Sequence, residues 1–167
     1  MYATYIFPRL MDWVLRGERF QTERRLLLTP VHGLVLEIGF GTGLNLPHYP
    51  RTVTALHTVD PAPLLSDRVA VRVAQASFPV HIQHVSAERL PYDDASFDYA
   101  VSTFTLCTIP DPARALRDIR RVLKPDRDGL STWHSAHGGS HGSDDFAGFG
   151  RFDRRAAAGD RAGAAAQ

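Results

Sequence analysis

The stretch Leu34-Val-Leu-Glu-Ile-Gly-Phe-Gly-Thr-Gly-Leu44 decides the fold of this 167-residue chain. Its first half is a short apolar run, which is typical of a parallel strand that is covered on both faces. Its second half carries Gly39, Gly41 and Gly43, and glycine lets a backbone turn sharply and approach a ligand. A strand that leads through a glycine turn into a helix start is how nucleotide-like cofactors are held. The stretch therefore predicts a cofactor-binding unit.

An acidic residue, Asp60, follows the glycine turn at the distance of a second strand. It closes the apolar-biased run from Val53 to Val59, and it lies about 20 residues after the turn, where a carboxylate can reach ribose hydroxyls. The turn and the carboxylate together indicate an adenosine-type ligand. The alternative is a tight turn without a ligand, with Asp60 capping the loop before Pro61.

Strand and helix patterns alternate through the first 125 residues. Asp111-Pro112 is a helix start, since a carboxylate caps the helix and proline takes its first position. Together the patterns predict a doubly wound α/β fold. The further predicted strands are Val80–Val85 and Phe97–Thr103, and the helical segments are Met1–Leu28, broken near Gly17, then Leu44–Pro50, Leu64–Ala76 and the helix from Asp111 to Pro125.

Residues 34–125 resemble a class I methyltransferase, the kind that uses S-adenosylmethionine. They are similar to the small-molecule branch, which includes ubiquinone/menaquinone methyltransferases and the methyltransferase-like thiol and lipid enzymes. The resemblance implies a Rossmann-like, mostly parallel sheet, S-adenosylmethionine as cofactor, and methyl transfer to a small-molecule acceptor. The motifs that carry it are Glu37-Ile-Gly-Phe-Gly-Thr-Gly43, Val59-Asp60-Pro61, Ser86-Ala-Glu-Arg-Leu-Pro91, Ser96-Phe-Asp-Tyr-Ala-Val101 and Arg121-Val-Leu-Lys-Pro125.

The resemblance also implies which residues bind the cofactor. The glycines would let the backbone pass under it, Glu37 would orient that loop or the cofactor's amino group, and Asp60 would accept from both ribose hydroxyls. No catalytic residue is assigned, because a methyl group leaving a sulfonium needs little acid–base help. The implied cofactor-binding set is Glu37, Gly39, Gly41, Gly43, Asp60, Pro61, Ala87, Glu88 and Thr103.

Two residues that neighbour this set need comment: Ser86 departs from the family pattern, and Phe104 has an alternative interpretation. Ala87 and Glu88 match the family's adenine-side loop, but Ser86 stands where the family often has an Asp, which weakens the expected carboxylate contact to the adenine amine. Thr103 and Phe104 lie where the family lines the methyl-transfer site, although core packing accounts for Phe104 equally well.

The character of the chain changes after Pro125. Large apolar residues nearly vanish from 126 to 167, so this segment cannot bury enough apolar surface to offset its ordering entropy. We predict a methyltransferase domain at 1–125, with cover helices in 1–30, and a low-complexity, disordered or aberrant tail at 126–167. Leu130–Trp133 is at most a stub of a fifth strand, so the sheet is expected to be incomplete at its C-terminal side. A frameshift or a truncated gene is our hypothesis for the tail.

The composition of the chain limits the classes of partner that it is expected to bind. The formal net charge of +1, from 19 basic and 18 acidic residues, gives no case for nucleic acid. The chain has no apolar run near the ~20 residues of a membrane span and no signal-like start, so the expectation is a cytoplasmic protein without stable membrane insertion. The single Cys107 is expected to be a small buried residue. No metal site is predicted, because His134, His137 and His141 form a chance cluster in a glycine-serine tail.

Three functions stay open at this point. The first is S-adenosylmethionine-dependent methyl transfer. The second is a catalytically inactive, truncated remnant of the fold that binds the cofactor weakly or not at all. The third is a nicotinamide-dependent dehydrogenase, which ranks last because the G-x-G-x-x-G fingerprint is absent. The sequence assigns neither the methyl acceptor nor the oligomeric state.

Overall fold

Five parallel strands form one sheet in the computed structural model, which describes residues 17–62, 66–103, 105–125 and 130–133. Within these residues, one helix precedes the first strand, and two further helices and two short 3-10 turns, Leu46–His48 and Leu106–Thr108, lie between strands. The strands are β1 (Gly33–Ile38), β2 (Val53–Val59), β3 (Val80–Gln83), β4 (Tyr99–Thr103) and β5 (Leu130–Trp133), and the helices are α1 (Glu18–Leu28), α2 (Ser66–Ala74) and α3 (Pro112–Val122). This confirms the predicted Rossmann-like α/β class.

The strand order is β3-β2-β1-β4-β5, and every neighbouring pair is parallel. The chain moves outward from β1 to β3, then returns across β1 to build β4 and β5. The order therefore reverses between β1 and β4. In open α/β sheets, ligands bind at such a switch point, outside the carboxyl ends of the strands.

Both faces of the sheet are covered, which explains why β1 is apolar from Leu34 to Leu36 and again at Ile38. On one face Val35, Leu56 and Val101 pack with Leu28 of α1 and Val69 of α2. On the other face lies α3, whose inward residues Ala115, Leu116, Ile119 and Val122 are buried. Within the described ranges, no helix has the length and apolar character needed to cross a membrane.

The predicted start of α3 is confirmed. Asp111 is its N-cap and Oδ1 accepts a hydrogen bond from the backbone N–H of Arg114 at 2.9 Å, with Pro112 as the next residue. The carboxylate satisfies one of the amides that a helix N-terminus leaves without an intrahelical partner.

Several predicted boundaries differ from the structure. The fourth strand begins at Tyr99, because Phe97 pairs instead with Leu123: its N–H donates to the carbonyl of Val122 at 2.9 Å and its carbonyl accepts from Lys124 at 3.0 Å. The third strand ends at Gln83 and α2 ends at Ala74, each before the predicted end, whereas the predicted start of α2 at Leu64 lies outside the described residues. Strand β2 has the predicted bounds, and the fifth-strand stub forms as β5. The predicted helix before Gly17 and the tail from 134 onward lie outside the described residues.

Candidate active site

The glycine turn after β1 has three left-handed glycines, at φ 76° for Gly39, 55° for Gly41 and 75° for Gly43. The surroundings of Gly39 and Gly41 differ. A Cβ on Gly39 would lie 2.0 Å from Oγ1 of Thr105, whereas a Cβ on Gly41 would meet no atom of the described residues within 4 Å. Gly39 is therefore needed for close packing. Gly41 leaves open space at the edge of the sheet where a ligand can approach the backbone.

Asp60 follows β2 and holds the glycine turn. Its Oδ2 accepts from the backbone N–H of Gly41 at 2.9 Å, and its Oδ1 accepts from that of Ala62 at 3.0 Å. Its own N–H donates to the carbonyl of Gln83, so the loops after β1, β2 and β3 meet here. The second bond is the loop cap given above as the alternative. Pro61 is exposed at the same edge, and the contact of Asp60 with a ribose stays a prediction.

Glu37 is the buried acid at the end of β1. Its side chain is only 1% exposed. Oε1 accepts from Nδ2 of Asn45 at 2.8 Å, and Oε2 accepts from the hydroxyl of Tyr49 at 2.8 Å. Both partners lie in the segment that follows the glycine turn. In this structure Glu37 therefore holds the segment that follows the turn. The roles implied for it, toward the glycine loop or the cofactor's amino group, stay predictions.

Asn45 extends this network to two further elements. Its Nδ2 also donates to Oγ1 of Thr103 at 3.1 Å, and its Oδ1 accepts from Nε of Arg24 at 2.9 Å. Arg24, Glu37, Asn45, Tyr49 and Thr103 are all buried. One amide thus connects α1, β1 and β4 at the switch point.

Burial controls the titration of this network. Desolvation raises the pKa of the Glu37 carboxyl to about 7, and the negative charge of Asp60 acts in the same direction. The hydrogen bonds from Tyr49 and Asn45 and the positive charge of Arg24 lower this pKa, but they do not offset the desolvation. Burial also raises the pKa of the Tyr49 hydroxyl, together with the neighbouring Glu37. Both shifts have the same physical cause, because a charge inside the core loses its hydration.

The loop after β3 is tied to α3 through Glu88. Its Oε2 accepts from Oγ of Ser86 at 2.8 Å, and its Oε1 accepts from the backbone N–H of Asp111 at 2.8 Å. Ala87, between them, is buried. Through these hydrogen bonds, Ser86 and Glu88 stabilise the conformation of the loop. Contact of Ala87 and Glu88 with an adenine stays a prediction.

Arg121 of α3 forms hydrogen bonds with the next part of that loop, from Leu90 to Asp94. Its guanidinium donates to the carbonyls of Leu90 and Tyr92 at 3.0 and 2.7 Å, to Asp94, and to both carboxylate oxygens of Asp118. Asp118 in turn accepts from the N–H of Leu90. The hydrogen bonds from Arg121 lower the pKa of Asp118, although partial burial acts in the opposite direction.

The structure places the predicted site residues along one edge of the sheet. Glu37 and the glycines follow β1, Asp60 and Pro61 follow β2, Ala87 and Glu88 follow β3, and Thr103 ends β4. Of these, Glu37 and Thr103 share Asn45, and Asp60 contacts Gly41. Phe104, the side chain of Cys107 and the three tail histidines lie outside the described part of the chain.

Sequence reasoning missed Arg24, Asn45 and Tyr49 as parts of the site. A signal was present for Arg24, which stands at helical spacing with Phe20, Leu27 and Leu28 on the apolar side of α1. A charged residue on such a face needs a buried partner. Asn45 is also a polar residue in an apolar setting, because it lies between two leucines. Its partners Glu37, Arg24 and Thr103 are 8, 21 and 58 positions away in the sequence.

Comparison with known proteins agrees with this arrangement. Residues 36–127 match the family described as a methyltransferase domain. Human thiol S-methyltransferase TMT1B is 30% identical over 137 residues, 71% of this chain and 54% of that protein. Phosphatidylethanolamine N-methyltransferase of Cereibacter sphaeroides is 33% identical over 94 residues, 55% of this chain and 46% of that protein. The chain thus spans about half the length of these relatives.

A solved structure shares the fold. The crystal structure of the cyclase SpnF superimposes with a TM-score of 0.58 and 28% identity, over 74% of this chain and 50% of that one. The family match begins within β1 and extends past α3, so it includes the glycine turn, Asp60 and the Arg121 motif. With this match over more than half of its length, the chain belongs to the methyltransferase domain family.

Proposed function

We propose that this chain binds S-adenosylmethionine at the carboxyl ends of β1 and β2 and transfers its methyl group to a small-molecule acceptor. The observation that carries the proposal is the pairing of Gly41 with Asp60. A left-handed glycine beside open space is held by a carboxylate from the next strand, at 2.9 Å. When bound, the cofactor supplies an electrophilic methyl group on a sulfonium.

The residues at this edge fit such a cofactor. Gly41 offers a backbone that a ligand can approach, because no described atom occupies the position of a Cβ. Asp60 uses one lone pair of each carboxylate oxygen for a backbone amide. A carboxylate has about four acceptor positions. Two therefore stay available for hydroxyl donors such as those of a ribose.

The protein's part in the reaction is binding and orientation. Glu37, through Asn45 and Tyr49, holds the segment after the glycine turn, and Glu88 and Arg121 hold the loop after β3. These contacts fix the backbone around the site before a ligand arrives. Pre-set geometry of this kind is what a transfer between two bound molecules requires.

The small-molecule acceptor is supported by the names of the relatives, a thiol S-methyltransferase and a phosphatidylethanolamine N-methyltransferase. The near-neutral charge of the chain gives no support for a nucleic-acid acceptor. Thiols and lipid amines are therefore the first acceptors to test.

A second candidate is a cofactor-binding protein without transfer activity. The chain spans about half the length of its relatives, and SpnF, which shares the fold, is named as a cyclase. A fold by itself does not fix the reaction that it hosts.

Calorimetric titration with S-adenosylhomocysteine tests the cofactor site. We expect binding at micromolar strength that Asp60→Ala weakens about tenfold or more, which corresponds to about 1.4 kcal/mol. Absence of binding to the folded wild-type chain would contradict the proposal. Incubation with methyl-labelled S-adenosylmethionine and thiol or lipid-amine acceptors then separates the two candidates, because only a transferase labels an acceptor.

A further inference from the structure

Asn45 lies in the turn after β1, and its side chain spans the switch point of the sheet. Its side-chain N–H groups reach Glu37 at the end of β1 and Thr103 at the end of β4, the two strands between which the order reverses. Its carbonyl oxygen accepts from Arg24 of α1. An amide has two N–H donors, so both are used here, and the bond from Arg24 fixes which end of the amide faces α1.

The same residue also ends the glycine turn. Gly41 is held by Asp60, Thr42 accepts from Arg72 of α2, and Asn45 fastens the turn two residues after Gly43. The turn is thus fixed by side chains from three different elements. Asn45 and Asp60 therefore both contribute to holding the backbone of the turn.

We infer that Asn45 and Glu37 act together as one positioning unit, which sets the glycine turn for the cofactor, rather than Glu37 contacting the cofactor itself. The inference rests on the proposed function. The carboxylate of Glu37 is buried, and each of its oxygens already accepts from a side chain of the following segment. Asn45 is thereby a positioning residue for this site.

An exchange of donor and acceptor provides the test. In Asn45→Asp the side chain keeps its shape but loses both donors and brings a second carboxylate to Glu37. In the double variant Glu37→Gln, Asn45→Asp, the amide of the new glutamine can donate to the new aspartate, the hydroxyl of Thr103 can donate instead of accept, and Arg24 faces a carboxylate. Every contact of the network then has a donor and an acceptor again.

The readouts are calorimetric affinity for S-adenosylhomocysteine and thermal unfolding. We expect Asn45→Asp, measured at about pH 9, above the pKa of Glu37, to lower the affinity about tenfold or more, the size expected when hydrogen bonds to a charged group are lost, and the double variant to recover most of it. A double variant that folds as well as the wild type and still binds no better than Asn45→Asp would overturn the inference, because Glu37 would then contact the ligand directly. So would an unchanged affinity in Asn45→Asp.

A second pair of variants keeps the test decisive if the double variant does not fold. Arg24→Met removes the donor to Asn45, together with a positive charge near Glu37, but takes away neither of the two hydrogen bonds that Glu37 accepts. Arg25→Met is the matched control on the exposed side of the same helix. We expect a several-fold loss of affinity in the first only, of the size of one hydrogen bond. Equal affinity in both folded variants overturns the inference. Absence of binding by the wild-type chain would instead count against the proposed function.

Discussion

The backbone N–H of Gly41 donates a 2.9 Å hydrogen bond to Oδ2 of Asp60, 19 positions further along the chain. This bond joins the turn after β1 to the end of β2. Asp60 therefore stabilises the turn, apart from the ligand-binding role proposed for it. Substitutions at Asp60 therefore affect folding and binding, and the two effects can be measured separately.

Asp60→Ala should destabilise the protein even without a ligand. The substitution removes the acceptors of two backbone amides, those of Gly41 and Ala62. We expect the free energy of unfolding, measured by urea titration, to fall by about 1–2 kcal/mol. Asp93→Ala, at an exposed carboxylate, is the control and should change it little. Equal stability of the two variants would contradict the role assigned to Asp60.

The elements near this bond were predictable because their signals are local. The apolar-biased run from Val53 to Val59 gave β2 its bounds, the glycines marked the turn, and Asp111-Pro112 marked the start of α3. The start of β4 was placed two residues too early. Phe97 is apolar and buried like a strand residue, but its backbone pairs with Leu123, a contact that no local pattern reveals.

The polar network at the switch point was not predictable in the same way. Asn45 contacts Arg24 and Thr103, which are distant in sequence and come together only when β4 pairs with β1 and α1 packs on a face of the sheet. Arg121 shows the same limit, since its motif was recognised but its contacts with Leu90, Tyr92 and Asp94 depend on how the loop folds over α3.

Gly39→Ala and Gly41→Ala should distinguish a glycine that is needed for packing, Gly39, from one that gives a ligand access to the backbone, Gly41. Both place a Cβ on a left-handed residue, which costs about 1–2 kcal/mol. At Gly39 the Cβ also overlaps Thr105, whereas at Gly41 it enters open space. We expect Gly39→Ala to lower the unfolding free energy further than Gly41→Ala does, and Gly41→Ala to lower the affinity for S-adenosylhomocysteine while the protein stays folded. Undiminished binding by Gly41→Ala would show that the ligand does not approach the turn there.

Arg121→Ala should release the loop after β3. The guanidinium holds two carbonyls of that loop and the carboxylate of Asp118, which accepts from the N–H of Leu90. We expect faster hydrogen exchange at the Leu90 amide and a loss of about 1–3 kcal/mol in unfolding free energy. Arg121→Lys should not restore either, because an ammonium lacks the planar fork. Arg120→Ala, at the exposed neighbouring residue, is the control. If the Leu90 amide exchanges at the same rate in both alanine variants, Arg121 does not hold this loop.

The pH dependence of stability should report the buried carboxyl of Glu37. Its pKa is raised from 4.5 to about 7 in the folded protein, so between these values the folded state holds a proton that the unfolded state has lost. The unfolding free energy should therefore fall as pH rises through this window, by as much as about 3 kcal/mol from this group. Glu37→Gln cannot titrate, so its stability relative to the wild type should rise over the same window. Urea titrations from pH 4.5 to 8 measure this difference, with Glu18→Gln, at an exposed position, as the control. A constant difference between Glu37→Gln and the wild type across this range would show that Glu37 does not change its protonation there.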